Sequence, residues 1–492
     1  MSRLAQSRAK WKEKAIIRGK ENREHRRSDQ IKDAKIISLE NRLHEALEKI
    51  AGLNNGLQKL LASKNPPTRI DSIIVCIHLI IFARISFRSV PRVLQSINWQ
   101  GWIPSFSSAI NWLCRLGLQK MRTASKLLGP WIAIIDMTLD IAFKKALVVL
   151  RVPLKVFFDK RDALSLSDVS CVGMAIRKEW NGDSVSQSLL DILGDDESLK
   201  AIIKDSGSDL TKGVNLWRDG RRAGHVYVIS DLGHEVANAL KADFNEKLKF
   251  SEITGTIKSG ASKLYQSNLS FLAPPKIRTK GRFMSISRLA RWFDKMRDVL
   301  GGPGRAKKGS FVEQVRTLFG GLGPLHYDLD QLSERSLKLA EVMEILKNKG
   351  LNQETYRESM NIVETLPPRT QARKRLRRWL RTHLAVQARL SIGQTPLPIS
   401  SDIIESLFGS FKGFIARNSK AELNHLALCI PALCGPTTDS EIYASQQTIS
   451  QKDIQTWVEN NIGVTSLSRR RKFLKGELDG DSMQIPGDTM SA

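Results

Sequence analysis

The stretch from Trp131 to Val152, WIAIIDMTLDIAFKKALVVLRV, restricts this chain more than any other. Ile132 to Ile135 are apolar without a break, a pattern that suits a strand covered on both faces. The segment therefore reads as a central strand, with Ala146 to Val152 returning as its hairpin partner. Asp136 stands where the first strand ends. A buried carboxylate there needs a cation, a metal or hydrogen-bond donors to compensate it, and the plainer alternative is a turn-forming Asp.

The pattern continues with a third strand over Val169 to Ile176, a helix over Ser184 to Leu193, and a fourth strand over Leu199 to Ile203. A helix over Leu210 to Trp217, a fifth strand over His225 to Ile229 and a helix starting near Glu235 follow. A three-strand meander followed by alternating helices and strands gives an α/β unit with a mixed sheet, placed at 129–242. Asp205 follows the fourth strand, so parallel pairing of the first and fourth strands puts Asp136 and Asp205 at one sheet edge, where α/β sheets bind ligands. Asp209, one turn later, is either a helix cap or the ligand itself. Asp231, in SDLGHEV, ends the fifth strand, with His234 three residues on. It reads either as a helix cap beside a surface His or as a further member of a metal site.

Around this unit the chain changes character. Residues 1–64 begin with a segment dense in Lys and Arg. It runs into a heptad with Ile36, Leu43, Ile50 and Leu57 at one core position and Leu39, Ala46, Leu53 and Leu60 at the other. A coiled coil pairing two protomers is expected, although a helix packed on its own chain has the same pattern. Pro66 and Pro67 break the chain before 69–128. Three helices are expected there, at Ser72 to Ile85, Val90 to Ser96 and Ser105 to Leu116. They fit a helix-turn-helix whose last helix offers Ser105, Ser107, Ser108 and Asn111 to base edges. Small helical bundles share this spacing.

Residues 243–398 read as a helical, basic insertion, with main helices at Ser285 to Leu300, Asp328 to Lys347 and Gln371 to Arg389. The last carries Arg373, Lys374, Arg375, Arg377, Arg378 and Arg381, a phosphate-binding face or simply a solvated one. Residues 399–435 contain SDIIESLFGSFKGFIAR, a helix over Ser401 to Arg417 started by Ser400 or Ser401. Its apolar stripe is Ile404, Leu407, Phe408 and Phe411; Glu405 borders the stripe and Lys412 lies two turns on. Residues 436–492 read as a polar, basic tail with a cluster at Arg469, Arg470, Arg471 and Lys472.

The net charge of +27 over 492 residues points to nucleic acid ahead of an anionic membrane surface. The longest apolar run, Ile73 to Phe82, is too short to span a bilayer and reads as a core helix. No secretory signal is visible, and the five cysteines lack metal-ligand spacing, so they read as reduced core residues of an intracellular protein.

Asp136 in IIDMT, Asp205 in KDSGSD and Glu405 in SDIIESLFGSFK, with Lys412 after the Glu, resemble the signature of a DDE-type bacterial insertion-sequence transposase. That group lies within the ribonuclease H-like and retroviral-integrase superfamily. In organisation the resemblance spans residues 70 to 417; its motifs are short. It implies an α/β fold: a ribonuclease H-like mixed-sheet catalytic core with a helical insertion, preceded by an N-terminal coiled coil and an all-α helix-turn-helix. It implies two Mg²⁺ ions, with Mn²⁺ as a substitute, Asp136 bridging both and Asp205 and Glu405 each holding one, while Lys412 steadies the end DNA. The implied partners are double-stranded DNA, at element ends and target, and further copies of the chain as a homodimer or higher oligomer, with no membrane. The implied place is the cytoplasm, on the nucleoid. The chemistry is strand cleavage and strand transfer. It requires an attacking oxygen to be deprotonated and a leaving oxygen stabilised, which divalent ions on a few carboxylates achieve. A catalytically inactive DNA-binding regulator and a structure-specific nuclease are the alternatives on the same fold.

Overall fold

The computed structural model describes residues 67–137, 144–154, 156, 164–222, 224–244, 248–276, 286–301, 306–320, 322, 326–390, 392–393, 395–415, 423–463, 470–471 and 473–475. The basic segment and heptad of 1–64, and Arg469 and Lys472, lie outside them. In chain order the elements begin with α1 (Arg69–Ile81), α2 (Ser89–Ser96), α3 (Phe106–Ala124), β1 (Trp131–Met137), β2 (Lys145–Pro153) and β3 (Ser170–Arg177). Next come α4 (Gly182–Leu193), β4 (Leu199–Lys204), α5 (Ser208–Asp219), β5 (Tyr227–Ser230) and α6 (Leu232–Phe244). The helices α7 (Leu248–Tyr265), α8 (Ile286–Gly301), α9 (Phe311–Leu318), α10 (His326–Lys349), α11 (Gln353–Glu364) and α12 (Gln371–Arg389) form the insertion. The chain closes with α13 (Asp402–Ile415), α14 (Cys429–Ala432), α15 (Asp439–Thr448) and α16 (Gln451–Asn461).

The chain divides into two units, Met1–Val75 with Pro91–Pro104, and Cys76–Val90 with Ser105–Ala492. Within the first, the Trp99 indole donates to Ser72 Oγ at 3.0 Å and the Arg69 guanidinium lies over Trp102.

The second unit is built on a five-stranded mixed sheet in the order β3-β2-β1-β4-β5. β1 is antiparallel to β2 and parallel to β4, which is parallel to β5. This is an α/β arrangement compatible with the ribonuclease H-like core that the sequence implies. Trp131 to Ile135 are all buried, as an unbroken apolar run in a central strand requires. One face, through Ala133, Ile135, Leu147 and Val149, packs against Val185, Leu189, Leu210 and Val214 of α4 and α5. Each Val, Leu or Ile side chain among them contributes about 2 kcal/mol of burial. Elsewhere α3 and α14 pack on β3, and α13 reaches β1.

Three differences from the sequence reading have physical reasons. α3 does not stop near Leu116 but runs to Ala124, because Leu118, Met121 and Ala124 continue its buried stripe. That stripe packs on β3, α14, α15 and α16. Gly117 allows the approach: a Cβ there would collide with the Leu428 carbonyl. The segment after 436 is not simply a polar tail, since α15 and α16 occupy much of its described part. Both start with capping boxes, Thr438 with Glu441 and Ser450 with Asp453, and bury Ile442 and Ile454. In the insertion, α7, α9 and α11 add to the three main helices expected; α9 starts with a cap at Ser310 and α11 with one at Asn352. All five cysteines are free and buried, and no helix among the described residues is long and apolar enough to cross a membrane.

Candidate active site

The strand register decides which carboxylates share an edge. Ile135 of β1 pairs with Lys204 of β4, and Lys204 pairs with Ser230 of β5. The next residue on each strand path is Asp136, Asp205 and Asp231, so three parallel neighbours deliver an Asp to the same carboxyl edge. Glu405 comes to this edge on α13, the helix that contacts β1. Ile404, Leu407, Phe408 and Phe411 are buried as the stripe requires, which leaves Glu405 exposed beside them.

Asp136 is half-buried, and its Oδ1 accepts from the Met137 backbone N–H at 2.7 Å. Burial pushes its carboxyl up to about 7; the charge of Asp205 pushes the same way, Met137 and His234 oppose it, and Glu405 adds to it. The charges of the other two sequence-predicted carboxylates, Asp205 and Glu405, therefore both act on Asp136. Asp205 is half-buried and its Oδ1 accepts from Gly207 N–H at 3.0 Å. Lys204 beside it is buried, its ammonium donating to the Asp205 carbonyl at 2.9 Å and to Thr211 Oγ1 at 2.6 Å. Asp209 is exposed in the first turn of α5, and among the described residues no hydrogen bond ties it to this edge.

Asp231 behaves differently from the other carboxylates. It is 1% exposed, and its two oxygens accept four hydrogen bonds. Oδ1 takes the His234 N–H at 2.8 Å and meets His234 Nδ1 at 3.0 Å; Oδ2 takes the Ser401 N–H at 2.7 Å and the Ser401 hydroxyl at 3.0 Å. Four acceptor positions are all that a carboxylate has. Burial raises its carboxyl, but these donors outweigh burial and hold it below the usual range. Asp231 thus caps α6 and fastens the start of α13, an attachment backed by Leu232 N–H donating to the Ile399 carbonyl at 3.1 Å. Of the two serines before α13, Ser400 takes the Asp402 N–H and Ser401 serves Asp231.

No family model and no curated protein matches this chain.

The donors at this edge are hard carboxylate oxygens, the kind that Mg²⁺ and Mn²⁺ prefer. Among the described residues no three His, Cys, Asp or Glu stand close enough together to hold a metal ion as they are placed. What speaks for a cation is the field on Asp136: Asp205 and Glu405 both oppose its ionisation, and a divalent ion would reverse that opposition. Asp136, Asp205 and Glu405 are the residues that would hold it.

The remaining predicted contacts sort themselves by their partners. Lys412 is half-buried on α13. Ser105 accepts from the Ser108 N–H at 3.1 Å and so serves as the α3 cap; Ser107 is exposed, and Ser108 and Asn111 are half-buried. On α12, Arg373 and Arg377 pair with Glu364, and Arg375 pairs with Glu235 at 2.8 Å. Lys374, Arg378 and Arg381 are exposed and have no ion-pair partner among the described residues; their spacing puts them on one helix face. The opposite face grips the sheet. Trp379 Nε1 donates to the Ser230 carbonyl at 3.1 Å, and Ser230 N–H donates to His383 Nε2 at 3.0 Å, so α12 covers the open edge of β5. Asp243, at the end of α6, accepts from the Gln371 and Ala372 N–H groups that open α12.

Sequence reasoning assigned neither Asp231 its clamp nor α12 its anchors. The available signal was the Asp231-x-x-His234 spacing after a strand, which marks a capped helix but not the partner at Ser401.

Proposed function

We propose that this chain is a DNA transposase of the DDE type, cutting strands at the ends of a mobile element and joining them to new DNA. The observation that carries the reading is the strand register that sets Asp136 and Asp205 at one carboxyl edge of a mixed five-stranded sheet, with Glu405 on the helix that contacts β1. Three carboxylates from distant parts of a strongly basic chain suit phosphoryl transfer on nucleic acid better than any nucleophilic or redox chemistry. In this reading Asp136, Asp205 and Glu405 hold two Mg²⁺ ions, or Mn²⁺, which when bound would activate the attacking oxygen and stabilise the leaving one. Lys412, on the Glu405 helix, steadies end DNA. Lys374, Arg378 and Arg381 offer phosphate contacts, and the helices between 69 and 128 read as the DNA-docking helix-turn-helix. The heptad of 1–64 pairs protomers.

The full chain, incubated with Mg²⁺ and duplex DNA taken from either side of its own coding sequence, is expected to cut at defined ends and to join the 3′ ends to a target plasmid. Asp136→Asn and Glu405→Gln should each lower cutting about 10³-fold or more while DNA binding persists. Absence of Mg²⁺-dependent cutting by the unaltered chain overturns the reading. Cutting without joining makes the chain a nuclease on the same fold.

A further inference from the structure

Glu405 rides on a helix whose place is set one turn earlier. Ser401 stands four residues before it, about 6 Å back along the axis of α13. The Ser401 backbone N–H donates to Asp231 Oδ2 at 2.7 Å, and its hydroxyl donates to the same oxygen at 3.0 Å. Two residues before Ser401, the Ile399 carbonyl accepts from Leu232 N–H at 3.1 Å. Asp231 is held from the sheet side as well. Its own N–H donates to the Lys204 carbonyl at 2.8 Å, and its Oδ1 accepts from the His234 N–H at 2.8 Å. Lys204 directly precedes Asp205 and pairs with Ile135, which directly precedes Asp136. A short run of hydrogen bonds through one residue therefore joins the strand that carries Asp205 to the helix that carries Glu405.

Such a joint matters where like charges must be gathered. As placed, the carboxylates do not stand close enough together to hold a metal ion. Loading one has to bring Glu405 toward Asp136 and Asp205, and every freedom left to the start of α13 adds to the entropy lost in doing so. Asp231 is suited to the joint and unsuited to the ion. It is 1% exposed, and each of its oxygens already faces a backbone N–H.

We propose that Asp231 is a positioning residue of this site: through Ser401 it holds the start of α13 against the strand that carries Asp205, and so sets where Glu405 meets a divalent ion without touching the ion itself. This rests on the DNA-cleavage reading above.

Two substitutions open the joint by different amounts. Ser401→Ala removes the hydroxyl and keeps the backbone bond. Asp231→Asn breaks the joint whichever way its amide turns, because the NH₂ then meets the N–H of either His234 or Ser401. Mn²⁺ binding to the full chain can be read from the free-ion signal in electron paramagnetic resonance. It is expected to weaken roughly 10-fold in Ser401→Ala and roughly 100-fold in Asp231→Asn. Ser401→Thr, which keeps the hydroxyl, should recover most of the loss. With Mg²⁺ and cleavable DNA, kcat should fall in the same order while KM for DNA stays. Ser445→Ala deletes a buried hydroxyl of α15 and controls for lost stability alone; Mn²⁺ binding should survive it. Should Asp231→Asn fail to fold, Ser401→Ala decides. Unchanged Mn²⁺ affinity in Ser401→Ala, with binding lost in Asp136→Asn, assigns the joint to the scaffold and overturns the proposal while the cleavage reading stands. Tighter binding in Ser401→Ala would mark Asp231 as a ligand freed from its donor, which overturns the proposal as well. If the unaltered chain binds Mn²⁺ but never cuts, the cleavage reading fails and the Mn²⁺ series still decides the joint. If it neither binds nor cuts, both fail together.

Discussion

At the amino end of β1, Arg151 is 2% exposed; its Nε finds no acceptor among the described residues, but the rest of its guanidinium is partnered. Its Nη2 donates to the Leu128 and Gly129 carbonyls, both at 3.1 Å, and its guanidinium lies 4.9 Å from the Trp131 ring centre. Trp131 in turn donates to Asp196 and Ser198, both at 2.9 Å. Burial raises the Asp196 carboxyl, but the hydrogen bonds of Ser198 and Trp131, with the Arg151 charge, bring it below its ordinary value. At the carboxyl end of the same strand, Asp136 has one backbone donor, two opposing carboxylates and a single imidazole in its favour. One end holds its buried charge with complementary partners inside the fold. The other carries negative charge that its own partners do not compensate, which is costly unless a cation or substrate completes it. The contrast separates a structural polar cluster from a candidate catalytic one without any appeal to similarity.

The contrast breaks most visibly under paired substitution. Asp136→Asn should abolish cutting yet raise the stability of the metal-free protein at pH 8 by about 1–2 kcal/mol, because it removes a carboxylate that burial and its neighbours disfavour. Arg151→Met should leave the chemistry alone and destabilise by about 3 kcal/mol, since it leaves the carbonyls of Leu128 and Gly129 without their donor and removes the cation near Asp196. Urea unfolding of both variants checks this. Equal signs of the two stability changes would remove the distinction between the two ends.

A smaller effect sharpens the account at β5. Burial pushes His383 down to about 4, with the Trp379 carbonyl opposing, and its Nε2 accepts from Ser230. A base whose folded value lies below its unfolded 6.5 costs nothing above pH 6.5. As the pH falls from 6.5 toward 4 the unfolded chain takes up a proton that the folded chain refuses, so stability drops by roughly 3 kcal/mol. His383→Gln should flatten that part of the stability profile, as read by thermal midpoints across pH 4–7. An unchanged slope would mean that α12 is not fastened to β5 through this imidazole. Smallest of all, replacing Arg378 or Arg381 with Gln should weaken DNA binding about equally for all sequences and reduce the salt slope by roughly 1 per residue, while Arg375→Gln should act mainly on stability.

Much of this was legible in the sequence. An unbroken apolar run can hide only in a covered strand, so β1 and the place of Asp136 followed from residue types alone, and the meander and crossovers followed from their spacing. Ile404, Leu407, Phe408 and Phe411 gave α13 its face and thereby the position of Glu405. What stayed hidden depends on partners far along the chain. Asp231 meets Ser401, and Arg375 meets Glu235; nothing local to either residue names the other. For the same reason the basic helix read as one face, when Arg373, Arg375 and Arg377 are spent on ion pairs while Lys374, Arg378 and Arg381 are exposed. α15 and α16 escaped because their buried stripes are sparse, with Ile442 and Ile454 carrying them, and their evidence lies in caps.

The most direct test of the central claim is a titration of the full chain with Mn²⁺, followed by its thermal midpoint, beside Asp136→Asn and Arg151→Met. A ligand that binds only the folded state raises stability with its concentration. The account predicts that Mn²⁺ stabilises the unaltered chain and Arg151→Met alike and leaves Asp136→Asn where it began. A rise of the same size in Asp136→Asn would show that the ion binds elsewhere, and the carboxyl edge of the sheet would lose its claim to be the active site.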